Sequence, residues 1–412
     1  MCNQKNMMMK DKQMKKLYNL KMRRVILIFN VLKFEINGAL AVQKGIHLQS
    51  IKSCNVEYKD KFDYQNESCE ISYYEFLKLD QRKTTSVFRQ TQESVSYSLK
   101  GEMNSLIYYK QFDDECKYIV KEIVDNLIEL NCNIYLEQRQ FDEIANITHS
   151  NRLYVFTKEQ ITLISLIIVV GGDGTVLYAL RQFQSQEPPP ILAFQKGTLG
   201  FMCVFDLKDK YQVLSKQIEH FRTAGQFIVE RKLRLKGCLI QSGGQKFEYH
   251  VLNEFVITRG ANPHCLYIEI YINDVLLTLA SGDGIIVSTP TGSTAYFLSA
   301  GGPIIQNEVP SISIAPICPL SLSFRPIVLP TCLNITIKLA NQCRANGFIC
   351  ADGQTTVEFN KDMIFQILKS EKFVSIIQDK SDIDYNEWVH NLRKKLGWNK
   401  VFTDQKKYKS NL

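Results

Sequence analysis

Three glycines and one carboxylate make the strongest chemical signal in this chain. Residues 165–175 read Ser-Leu-Ile-Ile-Val-Val-Gly-Gly-Asp-Gly-Thr, an apolar strand that empties into a glycine turn. Gly171, Gly172 and Gly174 carry no Cβ, so backbone N–H groups there can come close to an anion. Asp173 would repel a phosphate unless it holds a metal ion or takes a proton from an attacking hydroxyl. Both are tasks of phosphoryl transfer. The helix predicted from Thr175 to about Phe183 would aim its positive end at the same point. Taken alone, these letters also fit a strand-to-helix turn with a surface Asp at the cap.

A second segment tips the balance toward a ligand. Residues 282–303 begin Gly-Asp-Gly-Ile-Ile-Val-Ser-Thr-Pro-Thr-Gly-Ser-Thr-Ala-Tyr, a strand released into a loop dense in hydroxyls. Ser288, Thr289, Thr291, Ser293 and Thr294 can each donate and accept, as ribose and phosphate recognition requires. The bland explanation is a Ser/Thr turn capping a helix that starts near Ala295. Asn253 and Glu254 sit inside a strand-like run, Val251 to Thr258, where adjacent polar side chains are costly without a polar partner. Asp352-Gly353-Gln354 makes a third Asp-Gly corner, and Phe324-Arg325-Pro326 supplies a cation. An edge strand, a hairpin turn and a surface ion pair would account for these three one by one.

The elements that must position these residues fall into two kinds. Leu106 to Lys110 and Asn133 to Leu136 read as strands, with an amphipathic helix over 112–130 between them. With the strand before Gly171 and Ile191 to Phe194 they alternate as β and α, which predicts a parallel sheet with phosphate beyond a strand's carboxyl end. The apolar run from Ile161 to Val170 reads as a buried parallel strand. After about Phe205 alternating segments dominate, with Asn273-Asp274 as a hairpin turn, so the second part is β-rich. An amphipathic helix over 384–398 presents Trp388, Leu392 and Leu396 for docking on the first domain. The domain boundaries expected are a basic, poorly ordered extension over 1–100, an α/β nucleotide-binding domain over 101–205 with helix 381–400 packed back, and a β-rich domain over 206–380.

Composition narrows the partners. The net charge of +8 arises within the first fifty residues, which hold ten Lys and Arg against Asp11 and Glu35; the remainder balances at 40 basic and 40 acidic side chains. No broad basic face for nucleic acid is implied. No apolar stretch reaches the roughly 20 residues that span a bilayer, and the patch from Val25 to Leu32 reads as part of the extension. The twelve cysteines form no C-x-x-C pair. Cys238, Cys318 and Cys332 read as small core residues of a reducing compartment.

The constellation as a whole resembles the NAD kinase family. Gly171-Gly-Asp-Gly-Thr175, Leu199-Gly-Phe201, Leu252-Asn-Glu254, Asp283-Gly284, Thr289-Pro-Thr-Gly-Ser-Thr-Ala-Tyr296, Ser323-Phe-Arg-Pro326 and Asp352-Gly353 follow the family's order over residues 103 to 400. The Gly-Gly-Asp-Gly-Thr corner is shared with 6-phosphofructokinases and diacylglycerol-type lipid kinases; the Thr-Pro-Thr-Gly-Ser-Thr-Ala-Tyr block is not. The resemblance implies a Rossmann-like α/β domain joined to a β-rich one, with NAD in the cleft between. It implies ATP and Mg²⁺ or another divalent cation as co-reactants, and a homo-oligomer, dimer or tetramer. Asp173 would be the catalytic carboxylate, as base or as organiser of Mg²⁺. Phe201 would line the adenine pocket, Asn253 and Glu254 would hold the adenosine ribose, and Asp283 would face the nicotinamide. Thr291, Gly292, Ser293, Thr294, Ala295 and Tyr296 would frame the dinucleotide, with Gly171, Gly172, Gly174, Thr175 and Asp352 completing the nucleotide site. Residues 137–165 and the Gln195-Lys196 pair carry no family motif. A lipid kinase and a nucleotide sensor without turnover are the competing readings. The cytoplasm is the expected compartment, with a mitochondrial address in the first fifty residues as the alternative.

Overall fold

Six consecutive apolar residues in a strand need apolar cover on both faces, and Leu166–Gly171 has it. In the computed structural model, which describes residues 93–96, 102–197, 200–379 and the helical positions 388, 389, 392, 393 and 396, this strand lies within a nine-stranded sheet. Leu166, Ile168 and Val170 face one core with the Asp114–Glu129 and Lys210–Ala224 helices. Ile167 and Val169 face another with the Asp173–Leu180 helix. Period-two alternation therefore splits a uniformly apolar run between two layers.

Strand order decides where a ligand can sit. From Leu153–Val155 the parallel strands run inward through Asn133–Leu136 and Asn104–Tyr109 to Leu166–Gly171 and Ile191–Gln195. The chain travels outward from Asn104–Tyr109, then returns to its other side at Leu166–Gly171. That reversal is a topological switch point, which opens a crevice beyond the carboxyl ends of the two strands. Gly171 to Thr175 follows directly from it.

The sheet also takes Gln226–Lys232 and Val374–Ile377, antiparallel to each other, although both lie in the 206–380 stretch read as the β-rich domain. Gln226–Lys232 alternates just as sandwich strands do, and Val374–Ile377 is a short, wholly buried run, so the pattern did not show which sheet either joins. Glu93–Ser96 pairs with Gln226–Lys232, Glu93 opposite Val229, well upstream of the expected first strand. The apolar run 161–170 also divides. Its first part closes a 3₁₀ turn, Lys158–Leu163, before the strand begins.

The β-rich part is two antiparallel six-stranded sheets enclosing one apolar core, with Leu235, Ile268, Ile337 and Phe365 from one sheet against Phe255, Ile285, Ile314 and Ile349 from the other. Asn273 and Asp274, at φ 47° and 65°, form the predicted hairpin turn between Leu266–Ile272 and Val275–Gly282. Cys318 and Cys332 are exposed, contrary to their core assignment, because each falls in the turn just after a strand. The nine cysteines described are all free thiols. Trp388, Leu392 and Leu396 are helical and half-buried. The Val25 to Leu32 patch lies outside the described residues. Among those described, no helix is long and apolar enough to cross a membrane.

Candidate active site

The helix after the glycine corner starts two residues earlier than its composition indicates. Gly172 is the N-cap and Asp173 the first helical residue, so the carboxylate stands in the first turn among unpaired N–H groups. Its oxygens are not idle. Oδ2 accepts the Phe201 N–H at 2.7 Å and Oδ1 the Met202 N–H at 2.9 Å. Two backbone donors thus aim the carboxylate and tie the corner to the loop after Ile191–Gln195. Gly200 is required there, since a Cβ would overlap Asp173 Oδ1. Gly171 is equally constrained by the Thr175 side chain, whereas a Cβ at Gly172 or Gly174 would meet open space. Lys196 closes the corner from beside, its N–H on the Gly171 carbonyl at 2.8 Å.

The run through Asn253 is not one strand. Lys246–Val251 belongs to one sheet of the sandwich and Glu254–Thr258 to the other, with Leu252 and Asn253 in the crossover. A break inside a buried run leaves backbone donors unpaired, and the Asp352 carboxylate takes them. It accepts from Leu252 and Asn253 at 2.8 Å each and from Glu254 at 3.2 Å. Asp352 can do so because the hairpin between Gly347–Ala351 and Gln354–Phe359 turns through it at φ 46°. So Asp352, expected at the nucleotide, grips the chain that carries Asn253 and Glu254.

Those two side chains are 8% and 5% exposed, and each holds a buried oxygen without a hydrogen-bond partner, Asn253 Oδ1 and Glu254 Oε2. An unpaired buried polar atom costs roughly 1–3 kcal/mol, a cost that a polar ligand meeting these two oxygens would remove. Burial, then the neighbouring Asp352 charge, pushes Glu254 up to about 8, so it holds its proton at neutral pH and can donate. Burial likewise raises Asp352, against the pull of its three N–H donors and of Arg234.

The same crossover joins the two distant turns. Leu252 enters the core formed by Val176, Ala179, Leu180 and Met202, next to the Asp173 corner. Its carbonyl accepts the Thr289 hydroxyl at 2.6 Å, and the Asn253 carbonyl accepts the Thr289 N–H at 2.9 Å. Gly292 packs on that carbonyl, where a Cβ would overlap it. The hydroxyls of the turn divide by role. Ser288 donates to the Asn253 carbonyl, and Ser293 donates to the Pro290 carbonyl at 2.6 Å, lies 3.1 Å from the Ile305 carbonyl and accepts the Ile305 N–H. Both are fully buried and hold the loop in shape. Thr294 donates to the Thr291 carbonyl at 3.2 Å, Ala295 is half-buried and Tyr296 is 45% exposed. Asp283 is engaged by Arg259, Nε to Oδ1 at 2.6 Å and Nη2 to Oδ2 at 3.4 Å. Phe201 is half-buried, and Arg325 is exposed.

Sequence reasoning missed a buried polar hub behind the crossover. Arg234, 1% exposed, donates to the carbonyls of Phe183 and His250. The His250 ring sits between Ser370 Oγ at 2.8 Å and Lys372 Nζ at 3.2 Å. Burial, then Arg234 and Lys372, holds His250 down to about 4. The letters hid it, because Arg234 alternates with Leu233 and Leu235 in step with Lys232 and Lys236, as an outward-facing cation would.

Residues 58–221 match the ATP-NAD kinase N-terminal domain and residues 252–378 the ATP-NAD kinase C-terminal domain. The chain belongs to the ATP-NAD kinase family. Its reaction class is ATP-dependent phosphorylation of NAD(H). The kinase is 32% identical over 317 residues to NADH kinase pos5, mitochondrial, of Schizosaccharomyces pombe, covering 74% of this chain and 77% of that one. It is 33% identical over 292 residues to the NAD kinase of Citrifermentans bemidjiense, 71% of this chain and 97% of that one. Against long chloroplastic relatives from plants the match spans 31% of one and 32% of another. Among solved structures, a crystal structure of yeast NADH kinase complexed with NADH superposes with a TM-score of 0.67 at 28% identity, over 75% of this chain and 95% of that one. The N-terminal match begins 45 residues before the start set by the motifs, at 58 rather than 103.

Proposed function

We propose that the kinase transfers the γ-phosphoryl group of ATP to the 2′-hydroxyl of the adenosine ribose of NAD(H), giving NADP(H) and ADP. The carrying observation is the crossover at 252–254, which packs against the Asp173 helix through Leu252, grips the 289–296 turn through Thr289, and leaves two buried oxygens for a ligand between them. Glu254, protonated at neutral pH, donates to a ribose oxygen, and Asn253 Oδ1 accepts from a ribose hydroxyl. Asp173, aimed by two backbone donors, retains lone pairs for the 2′-hydroxyl and takes its proton as the new O–P bond forms. The bond from the γ-phosphorus to the β–γ bridging oxygen breaks, and ADP leaves with that electron pair. The amides at Gly172 and Gly174 and the helix N-terminus offset charge on the transferring oxygens.

A divalent cation, Mg²⁺, fits this corner as a companion of the triphosphate. Among the described residues no group of three or more His, Cys, Asp or Glu stands ready as a cage; Mg²⁺ is commonly held by one or two carboxylates plus substrate phosphates. Asp173 would hold it as the alternative to taking the proton, and when bound the ion would neutralise phosphate charge. We place the protein in the cytoplasm and as a homo-oligomer, two copies meeting at the Val275–Gly282 edge strand. Val275, Leu276, Leu277 and Leu279 there are 71%, 53%, 46% and 45% exposed, and among the described residues the strand is paired on one side alone.

The test is ATP-dependent NADP formation by purified protein beside Asp173→Ala. The kinase makes NADP and loses that activity with the substitution. A lipid kinase makes none, and a sensor binds NAD without converting it.

A further inference from the structure

The Thr291 hydroxyl bonds outside its own turn. It lies 3.2 Å from Asn307 Oδ1, and Asn307 Nδ2 lies 3.2 Å from Glu230 Oε1, on the Gln226–Lys232 strand of the first sheet. Glu230 is fixed in turn by Lys232 Nζ at 2.9 Å on Oε1 and by Gln378 Nε2 at 3.4 Å on Oε2. Lys232 is 2% exposed, so this ion pair is shielded from solvent on its cationic side.

Hydrogen-bond polarity propagates along this chain in one direction. The Lys232 ammonium donates to Glu230 Oε1, so that oxygen serves as an acceptor, and Asn307 must turn its amide N–H₂ toward it. The reversed amide would set two acceptors against each other at 3.2 Å. Asn307 Oδ1 therefore faces Thr291, and the Thr291 hydroxyl spends its single hydrogen on it. What remains at Thr291 Oγ1 is lone pairs.

The geometry points to Glu230, acting through Asn307, as a positioning residue that makes Thr291 an obligate acceptor, so that this turn reads a hydrogen-bond donor of the dinucleotide and not its phosphates. Ribose hydroxyls and amide or amino groups carry a hydrogen to give; phosphate oxygens do not. The inference rests on the proposed role of the 289–296 turn in holding NAD.

The experiment measures NAD affinity by calorimetry, and KM and kcat for NAD and ATP, in Thr291→Val, Asn307→Ala and Glu230→Gln. Asn307→Ala leaves the Lys232–Glu230 pair intact, so it reports even where Glu230→Gln folds poorly. Losing one neutral hydrogen bond gives about a fivefold to tenfold effect. Thr291→Val should weaken NAD by that factor with the ATP KM unchanged. Asn307→Ala and Glu230→Gln should each weaken NAD severalfold at near-constant kcat. Adding either to Thr291→Val should cost nothing more, a non-additivity that mere loss of structure does not produce. If Thr291→Val weakens NAD while the other two leave it within twofold, or if their effects simply add, the relay is overturned. If Thr291→Val itself leaves NAD binding unchanged, the turn does not hold NAD and the broader reading of it fails first.

Discussion

Asn253 donates its backbone N–H to the Asp352 carboxylate at 2.8 Å, across 99 residues of sequence. With the flanking N–H groups of Leu252 and Glu254 on the same carboxylate, one hairpin turn fixes the crossover between the two sandwich sheets. Asp352→Ala strands three donors, at about 1–3 kcal/mol for each that stays buried. The expected loss is on the order of 3 kcal/mol, read as a lower urea midpoint at unchanged slope.

Gly200→Ala should damage turnover more than stability. The added Cβ overlaps the Asp173 carboxylate, so Asp173 must give up its alignment on Phe201 and Met202. Misplacing a reacting group by about 1 Å costs around 100-fold in rate. Steady-state kinetics should show kcat falling by about that factor while the melting temperature changes by only a few degrees.

Glu254 makes the folded state sensitive to base. Its folded pKa, about 8, lies above the ordinary 4.5, so the native protein binds the proton more tightly than the unfolded chain. That contribution is whole below pH 4.5 and is lost as pH rises through 8. Glu254→Gln, a stand-in for the protonated acid, should gain stability over the parent across this window and hold a constant margin above it. Denaturation midpoints at pH 5, 7 and 9 check this.

His250 works in the opposite direction. Its folded pKa of about 4 lies below the ordinary 6.5, so the unfolded chain takes the proton first and stability falls as pH drops from 6.5 through 4. In His250→Gln that part of the acid dependence should vanish, and midpoints at pH 4.5 and 7 should lie closer together than in the parent.

Leu277→Lys should separate the proposed oligomer. A charge on an exposed edge strand opposes pairing with a second copy. Sedimentation should show the parent above monomer mass and the variant at it, with the melting temperature of the variant protomer little changed.

Much of this architecture is legible in the letters because period and punctuation agree. The Asn133–Leu136 strand, the Asn273-Asp274 turn and the glycine corner each follow from local chemistry. What escaped was tertiary. Gln226–Lys232 alternates like a sandwich strand yet adds to the first sheet, since alternation reports one covered face and not which sheet supplies it. The break at Leu252 is invisible because its stabiliser, Asp352, lies 100 residues away. Ser288 and Ser293 look like ligand groups by type, but their hydroxyls bond backbone carbonyls, that of Asn253 in the crossover for Ser288 and that of Pro290 for Ser293. Asn307 and Glu230 carry no motif at all; only the folded chain brings them to Thr291.

The strand Glu93–Ser96 forms the outer border of the first sheet, against the strand that bears Glu230. A shortened protein that began after Ser96 would leave a row of backbone donors and acceptors along Gln226–Lys232 with no mate, an adhesive seam for any passing copy. Expression trials aimed at a soluble core therefore gain by keeping this short upstream piece.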